Sequence, residues 1–176
     1  MFNKILVALD DSVLATKILD EAMLMAERLE AKLMLLHVLS SLETERLGLQ
    51  PGGIGIESFF PILNEQAMRQ YAVEWQAYEE HSMAQIQGHV RIATERGIEV
   101  ESNQTMGDPG QSICKVAQTW GANLILMGRN RKSGISELFL GSTSNYVLHH
   151  APCSVLAVQA PLPAKVINPE PVRAYE

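Results

Sequence analysis

The sequence holds little of what marks a secreted, membrane or nucleic-acid-binding protein. Two cysteines, Cys114 and Cys153, stand far apart in 176 residues with no CxxC pair. That is no disulfide framework and no cysteine-rich metal motif, and two reduced, buried thiols in a reducing cytoplasm are expected. Apolar runs are short, Ile5 to Leu9 and Leu33 to Leu36 among the longest, whereas a membrane span needs ~20 apolar residues. Lys4 is followed by five apolar residues and then Asp10 and Asp11, too short an apolar run for a secretory signal. Positive charge is in deficit, with 14 Lys and Arg against 20 Asp and Glu and a net charge of −6. This argues against a nucleic-acid-binding face, while leaving room for a local basic patch.

Familiar catalytic spacings are missing too. The chain has no GxxxxGK[ST], GxGxxG, GxSxG or HExxH, which excludes the commonest phosphate loops, the nucleophile elbow and the zincin helix. His149 and His150 are adjacent and diverge by ~100° on a helix, so they cannot chelate one ion from one face. His37 lies inside an apolar strand and reads as a core histidine. The carboxylates form no evident pair, and nothing marks a general base poised over a phosphate.

What is present is a globular composition, 47% apolar and 19% charged, in a length suited to one domain. Lys4 to Asp10 is a short apolar run ending in carboxylates, as in a strand buried on both faces. Ser12 can cap the next helix, whose face carries Ile18, Ala22, Met25, Ala26 and Leu29. Leu33 to Leu39 is a second buried strand. Residues 40–64 break this rhythm as a long loop with Pro51, Gly52, Gly53, Gly55, Pro61, Phe59 and Phe60. Such an insertion is a candidate partner surface or lid, or its phenylalanines pack back on the core.

A helical pattern then runs from Glu65 to Arg96, with Met68, Ala72, Trp75, Ile86, Val90 and Ala93 on one face and Gly88 as a weak point. Ile98 to Gln104 alternates as a less buried strand. Gly107-Asp108-Pro109 leads into a helix with Ile113, Val116, Ala117 and Trp120 inward. Ala122 to Met127 is a strand, Ser142 can cap a short helix to His150, and Cys153 to Val158 is the last strand. Residues 159–176 carry four of the eight prolines and read as an extended tail. Alternating β and α elements predict an open parallel sheet with helices on both faces, the α/β class. Its ligand edge lies beyond the carboxyl ends of the strands.

Three segments therefore face that edge: Asp10 to Ser12, Val38 to Ser40, and Gly128 onward. The Gly128 loop follows a buried strand, carries Arg129, Arg131 and Lys132, and ends in Gly141-Ser142 at a helix start, where N–H groups and the dipole favour an anion. Read alone, it is either a phosphate loop or an ordinary flexible connection. Asp10 can accept from a ribose or hold magnesium, or it simply shapes the turn.

These residues resemble the universal stress protein family across residues 1–158. The opening strand with Asp10-Asp11-Ser12, His37-Val38, Gly107-Asp108-Pro109 and the stretch from Met127-Gly128 to His150-Ala151-Pro152-Cys153-Ser154-Val155-Leu156 carry the likeness. The ATP-binding branch has G-x2-G-x9-G-[ST]. Gly128 and Gly141-Ser142 match it, Arg131 replaces its middle glycine, and Gly134 lies nearby. The resemblance implies a five-stranded parallel sheet in the order 3-2-1-4-5 and a homodimer paired through the Cys153–Val158 edge strand. It implies a stress-response regulator binding ATP or AMP rather than a dedicated enzyme. It places Ala8 and Val38 at the adenine, Asp10 at the ribose or a magnesium ion, and the phosphates at Gly128, Arg129, Arg131, Gly134, Gly141, Ser142, Thr143 and Ser144. A nucleotide-free dimeric interaction module and a slow ATPase are the alternatives.

Overall fold

The structure, a computed structural model, describes residues 2–12, 14–40, 61–129 and 141–159, with the side chains of 61–68 and of Arg129 outside the description. The elements run β1 (Lys4–Leu9), α1 (Leu14–Leu29), β2 (Lys32–Leu39), α2 (Pro61–Glu95), β3 (Val100–Met106), α3 (Pro109–Trp120), β4 (Leu124–Arg129), α4 (Ser142–His150) and β5 (Ser154–Gln159). The five strands form one parallel sheet in the order β3-β2-β1-β4-β5. This is the predicted fold and strand order.

The register explains why the central strands read as unbroken apolar runs. Alternate side chains enter two separate cores, as expected when helices cover both faces. Val7, Leu9, Leu33, Leu35, Leu124 and Leu126 pack with Ile18, Ala22 and Met23 of α1 and with Ile86 and Ala93 of α2. Leu6, Met34, Leu36, Val38, Ile125 and Met127 pack instead with Ile113 and Ala117 of α3 and Val147 of α4. Among the described residues no helix is long and apolar enough to cross a membrane. Both thiols are free and half-buried. Burial pushes them above the ordinary cysteine range, and Cys114 adds to this at Cys153, so they stay protonated at neutral pH.

Helix ends follow local chemistry. Asp108 caps α3 by accepting from the backbone N–H of Gln111 at 2.9 Å, with Pro109 in the first turn. Gly121, at φ 73°, closes the same helix in the left-handed conformation that glycine adopts without steric cost.

Several sequence expectations are corrected. The second helix opens at Pro61, before Glu65, so residues 61–64 belong to the helix rather than to a loop. Gly88 does not interrupt α2, because tertiary packing outweighs a propensity cost of ~1 kcal/mol. Ala72 is exposed, while Tyr78 and Ser82 join Ile86 and Ala93 as buried positions. Among the described side chains of α2, the buried stripe thus begins where the helix meets the sheet. The N-cap of α4 is Gly141 and makes no side-chain cap bond, so Ser142 is the first helical residue rather than the cap. Gln159 belongs to β5 rather than to the tail. Phe59, Phe60, Arg131, Lys132, Gly134 and the prolines beyond residue 159 lie outside the described residues.

Candidate functional site

Strand order reverses between β1 and β4, because β2 lies on one side of β1 and β4 on the other. In open α/β sheets that reversal opens a crevice at the carboxyl ends of the strands. Three expected site residues meet there. Ala8, next to last in β1, lies opposite Leu36 and Met127, Val38 sits near the end of β2, and Gly128 sits near the end of β4. Ala8, Val38 and Met127 share the sheet face that α3 and α4 cover. The start of α4, Gly141 to Ser144, lies on that face as well. Small apolar walls and a helix N-terminus are therefore brought to one edge.

The glycines at this edge play different parts. Gly128 is constrained by packing. A Cβ added there would stand 2.8 Å from Ile18 Cδ1 and 3.1 Å from Leu14 Cδ2, so the absence of a side chain lets α1 approach β4. Gly141 is exposed at φ −56°, ψ 157°, a backbone open to any residue, and an added Cβ would meet no described atom within 4 Å. Nothing in the described fold requires glycine at 141. Of the hydroxyls that follow, Ser142 is exposed, Thr143 is half-buried and Ser144 is buried. The Ser144 hydroxyl donates to the Gly128 carbonyl at 3.3 Å, tying the start of α4 to the end of β4.

Asp10 carries out the turn-shaping role that sequence left open. Its Oδ1 accepts from the Ser12 hydroxyl at 2.5 Å and from the Ser12 N–H at 3.2 Å. Ser12 Oγ in turn accepts from the Leu14 N–H at 3.3 Å, at the start of α1. One carboxylate thus aligns the β1–α1 turn at the ligand edge. No group of three His, Cys, Asp or Glu side chains able to hold a metal ion occurs among the described residues. Magnesium is commonly held by one or two carboxylates together with substrate phosphates, and Asp10 fits that arrangement only alongside a nucleotide.

Two features were missed by sequence reasoning. The Tyr78 hydroxyl donates to Asp11 Oδ2 at 3.0 Å, and His37 Nε2 lies 3.8 Å from Asp11 Oδ1. From the sequence, Asp11 is placed only within the Asp10–Ser12 segment at the ligand edge. The second is a cavity of about 580 Å³ beside the ends of β2 and β3, walled by Leu39, Ser40, Tyr71, Trp75, Met106 and Pro109. The aromatic spacing Tyr71, Trp75, Tyr78 was the available signal for the cavity wall, since positions three and four apart share a helix face.

The fold defines a doubly wound α/β protein with its crevice at the β1/β4 switch point. The family model for the universal stress proteins matches residues 1–159, and the chain belongs to that family. It is 35% identical to the universal stress protein Sll1388 of Synechocystis over 162 residues, covering 90% of this chain and 98% of the relative. Among solved structures, the hypothetical protein MJ0577 superposes with a TM-score of 0.69 at 21% identity, covering 93% of this chain and 99% of that one. A universal stress protein in complex with cAMP superposes with a TM-score of 0.55 at 20% identity, covering 90% and 97%.

Proposed function

We propose that this universal stress protein binds an adenine nucleotide of the ATP or AMP type at the β1/β4 edge, and that occupancy modulates its contacts with partners. The observation that carries the reading is Gly141. It is a glycine that the described fold does not need, placed at the N-terminus of a nine-residue helix, where a phosphate can approach backbone N–H groups closely. The family match and the cAMP complex of a protein of the same fold support the choice of adenine nucleotide.

In this reading Ala8 and Val38 line the base and Asp10 meets the ribose or a magnesium ion. Gly128 supplies its backbone, Gly134 and the Gly141–Ser144 segment hold phosphate, and Arg129 and Arg131 add charge. Where the ATP-binding motif has its middle glycine, Arg131 brings a fixed charge and a fork suited to phosphate. Part of the grip is then electrostatic, and affinity falls as salt rises.

Acid denaturation of the purified protein followed by chromatography tests the reading. ATP or AMP is the expected release, with titration of the stripped protein restoring it. ADP accompanied by turnover would point to a slow ATPase. Neither release nor binding would overturn the nucleotide reading in favour of the nucleotide-free interaction module, which Arg131 favours by interrupting the glycine motif.

The same reading includes a homodimer. β5 is a sheet edge, Leu156 on it is 41% exposed, and Val155, Ala157 and Val158 carry no charge. An uncharged edge invites pairing with another strand, and a twofold axis pairs it with its own copy. Lysine at Val155 is expected to shift wild-type dimer to monomer at micromolar concentration in light scattering. A monomeric wild type at that concentration would sink the assignment.

A further inference from the structure

α2 is much longer than the sheet it covers. It crosses antiparallel to the parallel strands, and its lower half packs along β3, with Gln87 Nε2 donating to Ser102 Oγ at 3.3 Å. Higher up, Gln104 Nε2 donates to the Glu79 carbonyl at 3.3 Å. Tyr78 therefore stands at the level of the carboxyl edge, and Pro61 to Ala77 project roughly 25 Å past it at 1.5 Å per residue. The projecting part carries Tyr71, whose ring stacks on Trp75, while Trp75 meets the Tyr78 ring edge-on. Tyr71 and Trp75 wall the cavity beside the strand ends.

Among the described residues, the helix that carries the overhang meets the site turn at the Asp11 carboxylate. Asp11, next to Asp10, takes the Tyr78 hydroxyl at 3.0 Å on Oδ2. His37, from the end of β2 and almost fully buried, stands 3.8 Å from its Oδ1 and edge-on to Tyr78. Three elements, the β1–α1 turn, β2 and α2, thus converge on one side chain. A carboxylate held from the α2 side fixes the backbone of the turn whose other carboxylate faces the nucleotide edge. The hydroxyl-to-carboxylate bond is charge-assisted, and such bonds are stronger than neutral ones.

We propose that Asp11 and Tyr78 are positioning residues that couple the seating of α2 to nucleotide affinity. Seated, α2 holds the Asp10–Ser12 turn in its binding geometry. Displaced at its projecting half, by a partner for instance, it releases the turn and weakens the nucleotide. The inference rests on the nucleotide-binding reading above and names how that site is regulated.

Calorimetry with ATP and AMP on wild type, Tyr78→Phe, Asp11→Ala, Asp11→Asn and the Asp11→Ala/Tyr78→Phe pair tests it. Losing a hydrogen bond to a charged group is expected to lower affinity about tenfold in Tyr78→Phe and in Asp11→Ala. The pair should lose no more than either single change, the signature of one shared interaction. Asp11→Asn keeps an acceptor oxygen for Tyr78 and should retain most of the affinity. Trp75 reports independently. In a Trp120→Phe background, where it is the sole tryptophan, its emission should shift on adding nucleotide. That shift should vanish with Tyr78→Phe. If folded variants bind as tightly as wild type, or the two losses simply add, the coupling is wrong while the nucleotide reading stands. If wild type binds neither nucleotide, both fall.

Discussion

Valine in place of Gly141 is expected to leave the protein folded and to lower its affinity for ATP by about 100-fold, near 2.7 kcal/mol. The two halves of this expectation have separate causes. Backbone angles of φ −56° and ψ 157° suit a β-branched residue, and a Cβ there meets no described atom within 4 Å. The Asn145 N–H still donates to the residue 141 carbonyl, at 2.9 Å in the native protein. Valine is a poor N-cap, which costs the helix at most ~1 kcal/mol. For a phosphate held by the first N–H groups of α4, two added methyl groups stand in the line of approach. Adenosine, lacking phosphate, should lose far less affinity than ATP. Circular dichroism checks the fold and calorimetry the affinity. A folded Gly141→Val protein that binds ATP as wild type does would remove the phosphate assignment.

How much of this was legible in the sequence depends on which physical signal each residue carries. The apolar runs at Ile5–Leu9, Leu33–Leu39 and Leu124–Met127 have a single reading, strands buried on both faces, and alternation with helices then dictates a parallel sheet. Boundaries moved by a few residues where caps decide them. Asp108 and Pro109 mark the start of α3 plainly, but Gly141 caps α4 without a side-chain bond, so Ser142 was the natural and wrong choice. The buried stripe of α2 was misread at Ala72 because periodicity shows a face and not where along the helix the sheet begins. Val38 and Gly128 were placed at the carboxyl edge because a parallel sheet brings all strand ends together, whereas Ala8 was named only through the family resemblance. The Tyr78–Asp11 contact was not foreseen, since it links residues 67 positions apart and no local pattern encodes it. Nor does a glycine's letter say what its missing side chain is for, and here the two differ: a Cβ at Gly128 would strike α1, while one at Gly141 would meet no described atom.

That difference carries the second large effect, on stability rather than binding. Gly128→Val is expected to destabilise the fold by about 3 kcal/mol, the upper range for overpacking a core. The added Cβ would lie 2.8 Å from Ile18 Cδ1 and 3.1 Å from Leu14 Cδ2, where both side chains belong to the buried face of α1. Ile18 is 1% exposed and packs between the helix and the sheet, so its terminal methyl has little room to turn away. The cost must be met by shifting α1 off β4 or by an unfavourable rotamer. For a chain of this size such a loss lowers Tm by roughly 6–12 °C, measurable by thermal unfolding. Gly128→Ala meets the same atoms with fewer of its own and should fall between valine and wild type. Removing the obstructing methyl supplies the decisive comparison. Ile18→Val alone should cost ~1 kcal/mol as a lost core methyl, yet in the Gly128→Ala background it should be neutral or stabilising, because it clears the position the new Cβ needs. Strict additivity of the two changes would show that the α1–β4 contact is not what keeps residue 128 a glycine. The Gly128 role would then return to the nucleotide.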